Sequence, residues 1–153
     1  MAILETALMC LAFNIYHEAR SQSTIGQLAV AQVVMNRVDD DRFPDTVCEV
    51  VKQAVTHKGT NKPILHRCSF SWWCDGQKDD VREDSKEWSS ALQNAIIVLH
   101  GKISLDLTEG ATHYHATYVR PSWAKTKTRT TRIDSHIFYR WEKKHDKNTK
   151  KRW

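Results

Sequence analysis

Glu18 stands at the end of a run in which Ile3, Leu4, Ala7, Leu8, Leu11, Ala12 and Ile15 recur at helical spacing, and it is followed by Arg20, a polar Ser21–Thr24 stretch and Gly26-Gln27. A carboxyl at a helix C-terminus meets the negative end of the helix dipole. Partial burial beside Tyr16 would add desolvation, and both effects favour the neutral acid. A carboxylic acid still protonated near neutral pH can give a proton to a leaving oxygen, which is the work of a glycosidase's general acid. The competing reading is a surface glutamate paired with Arg20 or His17, and this segment alone leaves both open. A second constellation is His113 and His115, two apart, with His136 downstream. Three imidazoles could hold a zinc ion and make the chain a zinc amidase or peptidase. No His-Glu-x-x-His is present, and the expectation is that no metal or other cofactor is used. Cys68 and Cys74 flank a short loop at a spacing that fits no common zinc knuckle; a disulfide between them requires an oxidising setting.

The elements that must position these groups are mainly helical. The first helix carries Glu18 and runs out near Tyr16–Arg20. Gly26 opens a second, with Leu28, Ala29, Val30, Val33, Val34 and Val38 apolar, a pattern that suits a central helix packed on several sides. Thr46 and Glu49 make a capping box for a third, whose buried stripe is Val47, Val50, Val51, Ala54 and Val55. Residues 56–84 show no clear period and read as a long loop or short hairpin carrying function. A fourth helix starts after Asp84, with Glu87 completing a capping box, and stops at His100-Gly101. Residues 108–124 mix Gly, His and aromatics and suggest an active-site wall. Thr130–Ile133 and His136–Trp141, joined by Asp134-Ser135, suggest a hairpin.

A chain of 153 residues with 41% hydrophobic content suits one domain with a real core, and no apolar stretch is long enough to span a bilayer. The apolar start has no positive n-region and carries Glu5, so the expectation is synthesis in a cytoplasm without a signal peptide. Net charge is +5, unevenly placed: residues 120–153 hold 12 Lys/Arg against 3 acidic groups, and residues 1–119 hold 11 against 15. A basic end on a mildly acidic body suggests electrostatic attachment to a polyanion, with a merely solvated tail as the alternative. No recognition-helix motif accompanies the basic groups, so nucleic acid is not the expected partner.

The segments Asn14-Ile15-Tyr16-His17-Glu18-Ala19-Arg20 and Gly26-Gln27-Leu28-Ala29 through Asn36-Arg37-Val38 resemble the Glu-Ala-Arg, Gly-Gln-Ala-Val and Asn-Arg-Val of the spore-cortex-lytic (SleB-like) cell-wall hydrolase family. In order along the chain, Phe43-Pro44-Asp45-Thr46-Val47, Phe70-Ser71-Trp72, Gly110-Ala111-Thr112-His113-Tyr114, Pro121-Ser122-Trp123 and His136-Ile137-Phe138-Tyr139 are similar to further family segments. The resemblance covers about residues 5–140. It departs at Ser69, where the family usually has Gln, and at Asp134, where it usually has Gly; Asp tolerates the left-handed conformation glycine would adopt.

The resemblance implies an α+β, mainly helical, lysozyme-like (lytic transglycosylase-like) single domain over residues 1–141 with a small β-hairpin, followed by a basic tail at 142–153. It implies cleavage of peptidoglycan between N-acetylmuramic acid and N-acetylglucosamine, with Glu18 as the catalytic acid and base. Gln27 and Ser71 would bind N-acetyl groups, Phe70 and Tyr114 would line the cleft, and His115 and His136 would orient it or bind substrate. A hydrolytic muramidase would need a second carboxylate, for which Asp106 and Glu109 are available. A short basic version of this family resembles a bacteriophage endolysin, stored in the host cytoplasm and released onto the wall. The expected partners are peptidoglycan and, through the basic C-terminus, anionic envelope polymers or lipopolysaccharide; a monomer is expected.

Overall fold

The computed structural model describes residues 6–143. The expected roles of Ile3, Leu4 and Glu5, and of nearly all the basic tail, lie outside the described residues. Four helices and two small antiparallel sheets follow one another as α1 (Ala7–Ala19), α2 (Thr24–Val38), α3 (Val47–Val51), β1 (Ala54–Thr56), β2 (Pro63–Cys68), α4 (Lys86–Leu99), β3 (His113–Ala116), β4 (Thr128–Ile133) and β5 (His136–Arg140). The fold is α+β and mainly helical.

Each long helix begins on a hydroxyl cap. Thr6 accepts from the Met9 amide, Ser23 from Gly26, and Ser85 from Trp88, satisfying amides that have no partner within the helix. α4 is therefore capped by Ser85, and the expected Asp84–Glu87 capping box does not form. The Thr46 cap of α3 accepts from the Glu49 amide as expected, and its hydroxyl donates to the Glu49 carboxylate. Yet α3 ends at Val51. Ala54 and Val55, assigned above to its buried stripe, lie in β1, and Val55 is 48% exposed. The β-branched Val55 and Thr56 and the pairing of Ala54 with Cys68 favour the strand once the helix has stopped.

α1 packs on α4, α2 and α3, and its Cys10, Leu11, Phe13 and Ile15 meet Ala31, Val34, Val50, Val51, Phe70, Trp72 and Trp88 in the main core. Asn14 is buried there because its Oδ1 accepts from the Trp72 indole at 2.9 Å. A disulfide joins Cys10 of α1 to Cys48 of α3, and a second joins Cys68 to Cys74 across a 3-10 turn, Ser71–Cys74.

The larger sheet has the order β3-β5-β4. Its register pairs Tyr114 with Phe138 and Ala116 with His136, so these four residues share one face, while His113, His115, Ile137 and Tyr139 share the other. Phe138 packs with Ala29, Val33 and Ala111, which seats the first face on α2. The β4–β5 turn holds Asp134 at φ 51°, in the left-handed region, and grips the α1–α2 connection: the Asp134 carboxylate accepts from the Ser23 amide at 2.9 Å and the Ser23 hydroxyl at 2.6 Å. Gly26 is required beside this clasp, because a Cβ there would lie 2.4 Å from Asp134 Oδ2.

Candidate active site

Glu18 occupies the last turn of α1, where the helix passes the seated face of the β3-β5-β4 sheet. Tyr114 reaches across from β3 and donates its hydroxyl to Glu18 Oε1. Burial drives the Glu18 carboxyl above the usual carboxylate range, and the Tyr114 hydrogen bond and the Arg37 charge pull part of the way back. Tyr114 is in turn raised, first by burial and then by the neighbouring carboxyl, so it stays a neutral donor. The pair is a carboxyl biased toward its neutral form by desolvation, with a built-in donor ready for its anion.

His136 stands beside Tyr114, ring centroids 4.9 Å apart, and burial lowers its pKa. Its Nδ1 is buried without a protein partner. On the other face of the sheet, His113, His115, Trp123 and Tyr139 form an aromatic group: His115 stacks on Tyr139 at 5.2 Å and its Nε2 meets the Tyr139 hydroxyl at 2.8 Å. His113 is pushed down to about 4, chiefly by burial. Because the sheet separates His136 from His113 and His115, the three imidazoles do not converge, and the zinc arrangement allowed by their spacing is not built.

The structure thus brings Glu18, Tyr114 and His136 together. His115 lies across the sheet from them. Two expected substrate contacts are corrected. Phe70 is 2% exposed and packed in the main core, out of reach of a sugar face. Gln27 is 3% exposed, and its side-chain oxygen accepts from Asn94 at 2.8 Å, so its polarity is spent inside the helical layer. Ser71 is exposed at the start of the 3-10 turn. Asp106 is committed elsewhere: its carboxylate accepts from Asn36, from the Thr108 amide and hydroxyl, and from the Gly110 amide, which fixes the loop leading into β3. Glu109 is exposed at positive φ on the same loop, and its carbonyl accepts from Arg140.

Arg37 was not among the expected site residues. Its guanidinium nevertheless acts on Glu18, Tyr114 and His113. A basic residue late in an otherwise apolar helix was the available signal.

A helix-borne carboxyl raised by burial over a small antiparallel sheet is the candidate acid–base group of this α+β scaffold. A family model described as Cell Wall Hydrolase matches residues 21–139. The spore cortex-lytic enzyme of Halalkalibacterium halodurans is 30% identical over 129 residues, 84% of this chain and 33% of that protein, so the chain spans about a third of that relative's length. Two solved structures superpose closely. The catalytic domain of the Bacillus cereus SleB protein has a TM-score of 0.63 and 25% identity, covering 88% of this chain and 89% of that one. The catalytic domain of the germination-specific lytic transglycosylase SleB from Bacillus anthracis has a TM-score of 0.62 and 26% identity, covering 89% and 95%. The chain belongs to the cell wall hydrolase family, and its fold is that of the SleB catalytic domain.

Proposed function

We propose that this chain degrades peptidoglycan by cleaving the bond between N-acetylmuramic acid and N-acetylglucosamine as a lytic transglycosylase, with Glu18 as the one acid and base. The observation that carries the reading is the Glu18–Tyr114 pair. Glu18 gives its proton to the glycosidic oxygen as the bond from the muramic C1 breaks, and the N-acetylglucosamine leaves as an alcohol. The carboxylate, now accepting from Tyr114, removes the proton from the muramic 6-hydroxyl as that oxygen bonds to C1. A 1,6-anhydro ring closes, Glu18 is again protonated, and no water is consumed.

The committed state of Asp106 supports this route over a hydrolytic one, which would need a second carboxylate across the cleft. The opposed placement of His113, His115 and His136 supports it over a zinc amidase. We take the setting to be that of a phage endolysin, made in a host cytoplasm and acting on the wall after release. The two disulfides suit a protein that works outside a reducing cytosol. Lys125, Lys127, Arg129 and Arg132, on and before the edge strand β4, would hold anionic envelope polymers.

Mass spectrometry of fragments released from sacculi by wild type and Glu18→Gln tests the reading. Anhydromuramic ends from the wild type, with release lowered at least ~100-fold in the variant, are expected. Hydrated reducing ends would replace it with a muramidase, and new free amino groups with an amidase. An active Glu18→Gln chain would remove Glu18 from the chemistry.

A further inference from the structure

A basic residue in the last turn of a helix ordinarily sits at the surface, where it complements the dipole. Arg37 does not. It is 7% exposed, with its guanidinium between the rings of Phe43 and Phe70, 5.0 and 5.1 Å from their centroids. Its Nε donates to the Thr112 carbonyl at 2.7 Å, and its Nη1 is buried without a hydrogen-bond partner. Among the described residues no carboxylate lies within ion-pairing distance of it. A buried cation without an ion pair is expensive, and guanidinium, unlike ammonium, does not escape by losing its proton. The fold therefore maintains a fixed positive charge bonded to the backbone of Thr112, two residues before Tyr114, at the site where Glu18 must become an anion and then revert.

We propose that Arg37 is a positioning residue of the reaction: its sandwiched guanidinium, held off direct contact, stabilises the transient carboxylate of Glu18 and fixes the start of β3 so that Tyr114 meets it. This rests on the single-carboxylate reading above. The stand-off is the essential feature. A contact ion pair would keep Glu18 ionised and abolish the proton it has to donate. No cation at all would leave the carboxylate of the second half-cycle with Tyr114 alone. Stacking between two rings holds the charge at an intermediate range, and the Thr112 bond prevents it from swinging in.

The other groups around this centre are accounted for. Tyr114 and His113 come from β3, with His136 from β5. Lys86 and Glu87 of α4 and Glu49 of α3, on the helices packed against α1, are all exposed. His113 also feels Arg37, so changes on the acid side of a pH profile belong partly to it, and the alkaline side, where Glu18 loses its proton, is the diagnostic limb.

The experiment is the pH dependence of kcat and KM for glycan release from sacculi by the full chain, comparing wild type, Arg37→Gln, Arg37→Lys and Glu18→Gln, with folding checked by circular dichroism. Arg37→Gln is expected to lower kcat about tenfold at the optimum, to leave KM within about twofold because no substrate contact is lost, and to displace the alkaline limb upward by about one pH unit. Arg37→Lys, whose buried ammonium can shed its proton, is expected to displace the limb in the same direction. A folded Arg37→Gln chain whose alkaline limb coincides with that of the wild type overturns the proposal, as does a loss confined to KM. Should Arg37→Gln not fold, Arg37→Lys decides: a limb displaced upward supports the role and an unmoved one ends it. An active Glu18→Gln chain would overturn the mechanism underneath, whereas an inactive one beside an unmoved Arg37→Gln profile removes only Arg37.

Discussion

Glu18 illustrates how a reacting group is bought with stability. Burial raises its pKa, so the folded chain holds a proton that the unfolded chain has already released at the same pH. The sign follows from linkage: stability is greatest below the ordinary carboxylate range and falls as pH rises through the folded value. Glu18→Gln does not titrate, and its side-chain oxygen can still accept from Tyr114. It should therefore be more stable than wild type at pH 8, with the gap narrowing toward pH 4; urea unfolding at both values measures this, and a gap independent of pH would show that Glu18 is not strained by its charge. At this scale the sequence was partly legible. The apolar run ending in Glu18 announced a half-buried carboxyl, but its partner is 96 residues away, and nothing in helical spacing brings Tyr114 to it. Phe70 and Gln27 were misread for a related reason. An aromatic or an amide is equally at home against a sugar and in a core, and only the packing tells which.

Among the elements, the helices were readable because apolar periodicity runs along them and Thr46 marks the start of α3, while the end of α3 was lost because Ala54 and Val55 continue a helical pattern into a strand. The β4–β5 hairpin was visible from its turn residues. Its third strand, β3, was not, since four residues of mixed His and Tyr carry no period of their own. The disulfide joining α1 to α3 also escaped, as Cys10 and Cys48 are 38 residues apart with no motif to pair them. The Asp134 clasp ties the β4–β5 turn to the start of α2. Gly26→Ala places a methyl against the Asp134 carboxylate; overpacking of roughly 1–3 kcal/mol should outweigh the up to ~1 kcal/mol that alanine gains over glycine in a helix. The melting temperature should drop, and Asp134→Gly should relieve most of that drop in the double variant. Strict additivity of the two substitutions would place the damage elsewhere.

Over the whole molecule, charge and function are segregated: the acid sits within a mildly acidic body and the cations gather at and beyond the edge strand. If that basic region holds the enzyme to anionic wall polymers, binding of the inactive Glu18→Gln chain to sacculi should weaken steeply between 50 and 500 mM salt, where the screening length falls from roughly 14 to 4 Å. Changing Lys125, Lys127, Arg129 and Arg132 to Glu should mimic high salt, and equal retention of both chains in pull-downs would leave the tail as a solubilising appendage. The clasp between Ser23 and Asp134 spans 111 residues, and this separation bears on biosynthesis. A ribosome must deliver the chain through β5 before the hairpin can close over the end of α1 and β3 can gain its neighbour. A truncated chain ending at residue 127 should accordingly release no wall fragments.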